Sequence, residues 1–365
     1  MRKFNGINDI LVHALHKSKT QYFRRGLVMQ LGKVPVFDTI NKIPGGLMVV
    51  PLVLGVLFNT FAPEALNIGS FTTALFRNGA MPLIAVLLFC SGAQIRLNTA
   101  GGAVYKGSVL TLSKVLGGTL LGVFVAKAIG PDAAIIGITP LALISALGNN
   151  NGGLYTALAA KYGDNKDVGA IAVLSSTDGP FYEMALMGVV GVADIPLMVL
   201  FATIFPIILG MALGNLDDKF RDFLRPGMAI SIFLFAFPLG AGLSLQTIIS
   251  AGIAGILLGL FVLFFTGILC YFVFKLVVPR SERRSCAPGA AVGTTAGNAI
   301  ATPAAIAFAD PAWQPYVAEA TAQVAASILV TAILCPIMVD YIYKWEQRTG
   351  RLNLDVPPSS GFDAP

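Results

Sequence analysis

The chain has 365 residues, of which 55% are hydrophobic and 12% charged, with a mean hydropathy of +0.76. A soluble domain carries about 25% charged residues, so this balance excludes a soluble globular protein and a disordered one; the spread of apolar residues along the chain also excludes a single anchor. The net charge of +6 is read against the positive-inside rule rather than as a sign of nucleic acid, and continuous apolar runs argue for helices over a β-barrel.

Residues 1–42 are basic, with eight Lys and Arg against Asp9 and Asp38, and they hold both histidines, His13 and His16. No apolar core of 7–15 residues follows the first charges, so the segment does not read as a cleavable signal. It reads as a short amphipathic helix over Asp9–Leu15 or as a solvated tail. Ten transmembrane helices are expected at about 43–61, 72–95, 104–129, 133–162, 167–191, 195–214, 222–243, 247–278, 286–309 and 315–343. Residues 344–365 form a cytoplasmic C-terminal segment, disordered from 352 onward. With the N-terminus inside, 22 of the 25 Lys and Arg fall on the inner side; Arg77 and Lys127 fall outside and Lys114 lies within a span. That asymmetry is what the positive-inside rule requires, and it puts both termini in the cytoplasm.

An internal repeat supports the same topology. FCSGAQIRLNT (Phe89–Thr99) and FPLGAGLSLQT (Phe237–Thr247) align without gaps at an offset of 148, which also maps Asn150 onto Asn298. IPGGLMVVPLVLG (Ile43–Gly55) loosely echoes IPLMVLFATIFPIILG (Ile195–Gly210). The halves are then residues 43–191 and 195–343, five spans each. Five is odd, so the halves enter the membrane from opposite sides, as in secondary transporters built on inverted repeats. The fold class expected is therefore an all-α polytopic membrane protein made of two inverted five-helix repeats.

Two spans are interrupted at matching places: span 4 by GNNNGG (Gly148–Gly153) and span 9 by GTTAGNAIATP (Gly293–Pro303). Glycine, asparagine and proline disfavour helix interiors, and irregular backbone at membrane depth is tolerated only where protein or a water-filled cavity satisfies it. Kinks serving tight packing are one reading. A binding site is the reading favoured by two polar breaks in register, with Asn149, Asn150, Asn151, Gly152, Thr294, Thr295, Asn298 and Thr302 as lining residues. In span 5, Asp178 falls near mid-membrane, where a carboxylate costs about 2.5–3.5 kcal/mol on the insertion scale. It is the candidate for proton or sodium coupling, with Ser175, Ser176 and Thr177 as further oxygen ligands. Glu183, nearer the outer face, is a second coupling acid or a snorkelling one. Lys114 sits deep in span 3, snorkels, or pairs with a substrate carboxylate or Asp178. Glu319 and Gln323, spaced i, i+4 in span 10, share one face and form a second polar site or face the outer vestibule.

Four cysteines without CxxC spacing point to neither a metal site nor a disulfide framework, and the sequence has no GxxxxGK[ST] loop. No cofactor is expected. Ion-gradient energy remains as the driving force, with H⁺ as coupling ion or Na⁺ in its place. A channel would need a continuous pore, and an intramembrane enzyme a paired nucleophile and base or metal ligands; the spans contain no histidine. The partners expected are a small anionic substrate and the lipid bilayer, with no nucleic acid.

KIPGGLMVVPLVLG (Lys42–Gly55), the FCSGAQIRL stretch, NGGLY (Asn151–Tyr155), DGP (Asp178–Pro180), ALGNLD (Ala212–Asp217) and AGNAIATP (Ala296–Pro303) together resemble the 2-keto-3-deoxygluconate permeases over about residues 40–343. The resemblance implies uptake of 2-dehydro-3-deoxygluconate, or a related sugar acid, by proton symport and alternating access across a bacterial inner membrane. That family is similar in turn to the bile-acid/sodium symporter group of the bile/arsenite/riboflavin transporter superfamily. This likeness implies that spans 4 and 9 cross, with a core of spans 3–5 and 8–10 and a panel of spans 1–2 and 6–7. Lys114 matches a lysine of the family. Gly148 stands where the resemblance implies an acid, and the span-5 acid is displaced by one position onto Asp178, with Thr177 in its former place. Asn298, Glu319 and Gln323 are more polar than the family pattern. These departures bear on the substrate and the ion, the alternative being a sodium-coupled symporter of another small organic anion.

Overall fold

The computed structural model describes residues 35–43, 46–97 and 101–359. Asp9–Leu15, and Pro44, Gly45, Asn98 and Thr99 of the motifs, lie outside the described residues. The chain divides into two units, 1–43 and 44–365. In the first, helix α1 (Val36–Asn41) is held at its start by the Thr39 hydroxyl, which donates to the Pro35 carbonyl.

The second unit is helical; among the described residues the only β feature is an isolated bridge between Ile135 and Ile138. Its elements run α2 (Gly46–Phe61), α3 (Ser70–Phe76), α4 (Ala80–Gln94), α5 (Gly101–Ile129), α6 (Pro140–Leu147), α7 (Gly152–Tyr162), α8 (Asn165–Gly169), α9 (Ile171–Leu174) and α10 (Phe181–Val190). They continue with α11 (Leu197–Leu216), α12 (Asp218–Gly240), α13 (Leu245–Val277), α14 (Ala287–Ala290), α15 (Thr302–Ala309) and α16 (Val317–Arg348). Among the described residues, five helical stretches are long and apolar enough to cross a membrane, or six if α3 and α4, bent by 62° at their junction, count as one. The other four expected spans are not long unbroken helices: the interruptions within 133–162 and 286–309 fall at the two polar breaks expected there, whereas the one within 167–191 departs from the continuous helix expected. The first is a helix of 16 residues, and those at 133–162, 167–191 and 286–309 are split where Gly, Asn, Asp and Pro deny the backbone a regular ladder.

Helices α2, α4, α11 and α12 form one packed group, with α4 against α12, α2 on α12 and α11 on α4. Glycines set these contacts reciprocally. A Cβ on Gly55 would lie 2.2 Å from the Phe237 carbonyl oxygen, and one on Gly240 2.0 Å from that of Leu52. In the partner pair, a Cβ on Gly210 would lie 2.0 Å from the Phe89 carbonyl oxygen, and one on Gly92 2.2 Å from that of Ile207. Phe89 and Phe237, and Gly92 and Gly240, are the positions related by the offset of 148. Two asparagines repeat the pattern: Asn59 donates to the Leu243 carbonyl at 2.9 Å and Asn215 to the Ile95 carbonyl at 2.8 Å. Small residues bring helix backbones together where lipid supplies no hydrophobic drive for association.

A second group is built around α13 and α16. α13 and α16 lie along each other, α5 and α14 pack on α13, and α6 packs against α5 and α16. Lys106, counted from sequence among the inner-side cations, is buried and paired with Asp164 at 2.6 Å and Asp167 at 2.8 Å. Residues 352–359, expected to be disordered, are laid along the body. Asn353 donates to the carbonyls of Arg284 and Arg280, Arg284 to that of Val356, and the Ser359 N–H to that of Gly163. These bonds satisfy backbone groups that an unstructured tail would leave to water.

Candidate functional site

The two polar breaks meet. α6 stops at Leu147, and Asn149 turns back so that its Nδ2 donates to the Ser145 carbonyl at 3.0 Å. Asn151 starts α7 as its N-cap, accepting the Leu154 N–H on Oδ1 at 3.0 Å, the usual way a short polar side chain satisfies an orphan donor. The same residues reach across to the other break: Asn149 Oδ1 accepts the Ala296 N–H at 3.1 Å, and the Asn151 N–H donates to Thr294 Oγ1 at 2.9 Å. Each interrupted segment thus supplies groups the other lacks, as irregular backbone at membrane depth requires.

Lys114 supports the crossing from behind. Its ammonium is fully buried and donates to the carbonyls of Val292 at 2.7 Å and Thr294 at 2.8 Å, with Thr266 Oγ1 at 3.4 Å. Its expected pairing with Asp178 is not formed, and it does not snorkel. The carbonyls freed where span 9 unwinds take its positive charge. Thr295, expected to line the site, faces α16 instead: its N–H donates to Thr331 Oγ1 at 3.1 Å and its hydroxyl bonds Ser327 at 2.7 Å.

Span 5 breaks beside this crossing, at Ser175–Pro180. Asp178 is buried there, accepting from Ser91 Oγ at 2.8 Å on Oδ2 and from Asn298 Nδ2 at 3.2 Å on Oδ1. The preceding residue, Thr177, donates to Asn150 Oδ1 at 3.1 Å. Asn150 and Asn298, paired by the repeat offset, are therefore held by adjacent residues of one break. Asn298 Oδ1 is buried with no hydrogen-bond partner, leaving an open acceptor in the cluster. The cluster borders the first helix group: Ser91 belongs to α4, Leu88 of α4 abuts Gly179, and Met48 of α2 faces Gly297.

Other expected residues fall elsewhere. Ser176 bonds Tyr182 at 3.1 Å, Ser175 is half-buried, and Gly152 lies at the first turn of α7 facing Ile171. Thr302 is buried at the start of α15. Gln323 is fully buried and braces the loop before α6, accepting from Thr139 N at 2.9 Å and donating to the Gly137 carbonyl at 2.8 Å and to Glu319 at 3.1 Å. Glu319 is exposed. Glu183 is 1% exposed, enclosed by protein rather than snorkelling. Sequence reasoning did not find Ser91, Thr119 or Thr266. A single hydroxyl in an apolar helix carries no periodic or motif signal, and Ser91 maps by the offset onto Leu239.

A protein-family model, described as 2-keto-3-deoxygluconate permease, matches residues 37–348. The chain belongs to this family. It is 46% identical over 313 residues to 2-keto-3-deoxygluconate permease 1 of Salmonella typhimurium, covering 86% of this chain and 97% of that protein. It is 38% identical to the 2-keto-3-deoxygluconate permease of Bacillus subtilis, covering 84% and 93%, and 37% identical to that of Escherichia coli O7:K1, covering 82% and 92%. Permeases move solutes and are not enzymes. With its apolar helices, this member is a multi-pass membrane transporter.

Proposed function

We propose that the protein imports 2-keto-3-deoxygluconate, or a closely related sugar acid, by proton symport and alternating access across a bacterial inner membrane with both termini in the cytoplasm. The substrate follows from relatives that carry its name over more than nine-tenths of their length. The crossed breaks are suited to it chemically. Asparagine amides both donate to and accept from hydroxyls, and the N-terminal end of α7 supplies positive potential for a carboxylate. We read the two helix groups as panel and core, and the chain as ten spans in two inverted halves of the bile-acid/sodium symporter kind. The reciprocal contacts of Gly55 and Gly210, and of Asn59 and Asn215, support that symmetry.

The observation that carries the coupling is the position of Asp178, bonded on one oxygen to Ser91 of the first group and on the other to Asn298 of the crossing. An ionised carboxylate accepts from both. Hydrogen bonds to a charged group contribute about 1.5–3 kcal/mol and neutral ones about 0.5–1.5, so a proton on Asp178 weakens the tie between panel and core. Binding the cation and releasing the groups are then one event, and the ion gradient biases the conformational equilibrium. Purified protein in proteoliposomes tests this with labelled 2-keto-3-deoxygluconate under imposed gradients. Uptake is expected with an acid exterior and is abolished by a protonophore. Uptake driven by Na⁺ alone would replace the proton with sodium, and no uptake under any gradient would overturn the substrate reading.

A further inference from the structure

A second carboxyl lies apart from Asp178. Glu183 stands in the first turn of α10, and neither of its oxygens has a hydrogen-bond partner although both are buried. Gly148, in the span-4 break, makes the room it occupies. A Cβ there would come within 1.9 Å of Glu183 Oε1 and 2.7 Å of Thr119 Oγ1. Thr119 Oγ1 is itself buried and unpartnered. Thr119 ends a π-turn (Val115–Thr119) in the middle of α5, the kind of local widening that recurs at functional sites. Three elements thus converge on one cluster of buried oxygens that do not pair with one another. Buried polar atoms are nearly always satisfied, and oxygens of this kind are satisfied by a cation.

The charged surroundings are sparse. Lys114 is the cation whose field acts on Glu183, and its hydrogens are already given to Val292 and Thr294. Lys127, farther along α5, donates to the Val190 carbonyl at the other end of α10. The π-turn and α11, both packed on α10, carry no ionisable side chain, nor does α6, which ends just before Gly148. The N-terminus of α10 favours an anion at this position, whereas burial without an ion-pair partner disfavours one. A cation arriving at the pocket resolves that conflict.

We propose that Glu183 and Thr119 form a second cation site, which takes one proton or one sodium ion in each transport cycle in addition to the cation at Asp178. This rests on the symport reading above. A sugar acid carries one negative charge, so one cation makes the cycle electroneutral and two make it move one net positive charge inward. An inside-negative potential of about 60 mV then raises accumulation about tenfold, since one charge gains about 2.3 kcal/mol per 100 mV.

The test uses the full-length protein in proteoliposomes carrying a potassium diffusion potential, with E183Q as a neutral isostere and T119V as a second variant. Wild type is expected to accumulate labelled substrate about tenfold more at that potential, and E183Q to lose the stimulation whatever its absolute rate. T119V is expected to weaken it. Wild-type uptake indifferent to potential, or E183Q with the full stimulation, overturns the second site while leaving the substrate reading intact. Thermal unfolding of the purified protein serves independently of transport. A ligand that binds only the folded state raises the melting midpoint, so the response of that midpoint to pH or Na⁺ is expected to shrink in E183Q and again in D178N. Raising Na⁺ at fixed pH and changing pH without Na⁺ identify the ion. Identical responses in wild type and E183Q overturn the proposal.

Discussion

Replacing Ser91 with alanine removes one of the two donors on Asp178 and with it the hydrogen bond that links α4 to the span-5 break. Ser91 is 1% exposed, so water does not take its place in this conformation. The lost bond is to a charged group and is worth about 1.5–3 kcal/mol. At about 1.4 kcal/mol per factor of ten, S91A shifts the equilibrium by roughly 10- to 150-fold away from the conformation in which the two helix groups are tied. Met48, 1% exposed and facing Gly297 across the groups' border, is a reporter of their separation. All four native cysteines are buried, which keeps background labelling low. In an M48C background, S91A is expected to speed modification by an impermeant maleimide by one to two orders of magnitude, up to the ceiling set by a fully exposed thiol. S91T, which keeps the hydroxyl, restores the slow rate. An S91A rate within twofold of the parent would refute the idea that Asp178 ties the groups together.

Asn149→Ala leaves the buried Ala296 N–H without its acceptor, at a cost of about 1–3 kcal/mol, and is expected to lower the melting midpoint in detergent and the affinity for substrate together. Lys114→Met uncovers two buried carbonyls and removes charge-assisted bonds worth about 1.5–3 kcal/mol each. Because that ammonium caps span 9, the loss is expected in substrate-free thermal stability; a variant as stable as wild type that fails only in substrate binding would return Lys114 to the role of carboxylate partner. Gly210→Val drives a Cβ into the Phe89 carbonyl, and overpacking of this kind costs about 1–3 kcal/mol or more. Gly252→Ala, where nothing lies within 4 Å of the new carbon, is the control. Fluorescence-detected unfolding is expected to separate the two, and equal midpoints would contradict the close helix contact.

The breaks are legible in the sequence because Gly, Asn and Pro cluster where a span should be apolar, and the offset of 148 pairs Asn150 with Asn298, which lie beside Thr177 and Asp178 in the fold. The repeat also marked Gly92 and Gly240, which prove to be close-approach points of the first helix group. Partner choice was much less legible. Lys114 looked like a charge in search of a carboxylate, but unwound backbone presents carbonyls that satisfy an ammonium equally well. Gln323 looked like site polarity and is committed to a loop nearly two hundred residues away in the chain. The pocket at Glu183 depends on an absent side chain at Gly148 and a π-turn around Thr119, neither of which has a sequence period to betray it. Span 5 alone reads in the sequence as one longer helix, because hydropathy averages over the few polar residues at 175–180 that end each piece.

The most direct measurement is substrate binding and uptake by the double variant N150A/N298A, with expression and melting midpoint followed in parallel. Asn150 and Asn298 sit in different halves and meet through neighbouring residues of span 5. The expected result is a folded protein that neither takes up 2-keto-3-deoxygluconate nor gains thermal stability when it is added. Wild-type uptake from that variant would contradict a substrate site built where the broken helices cross.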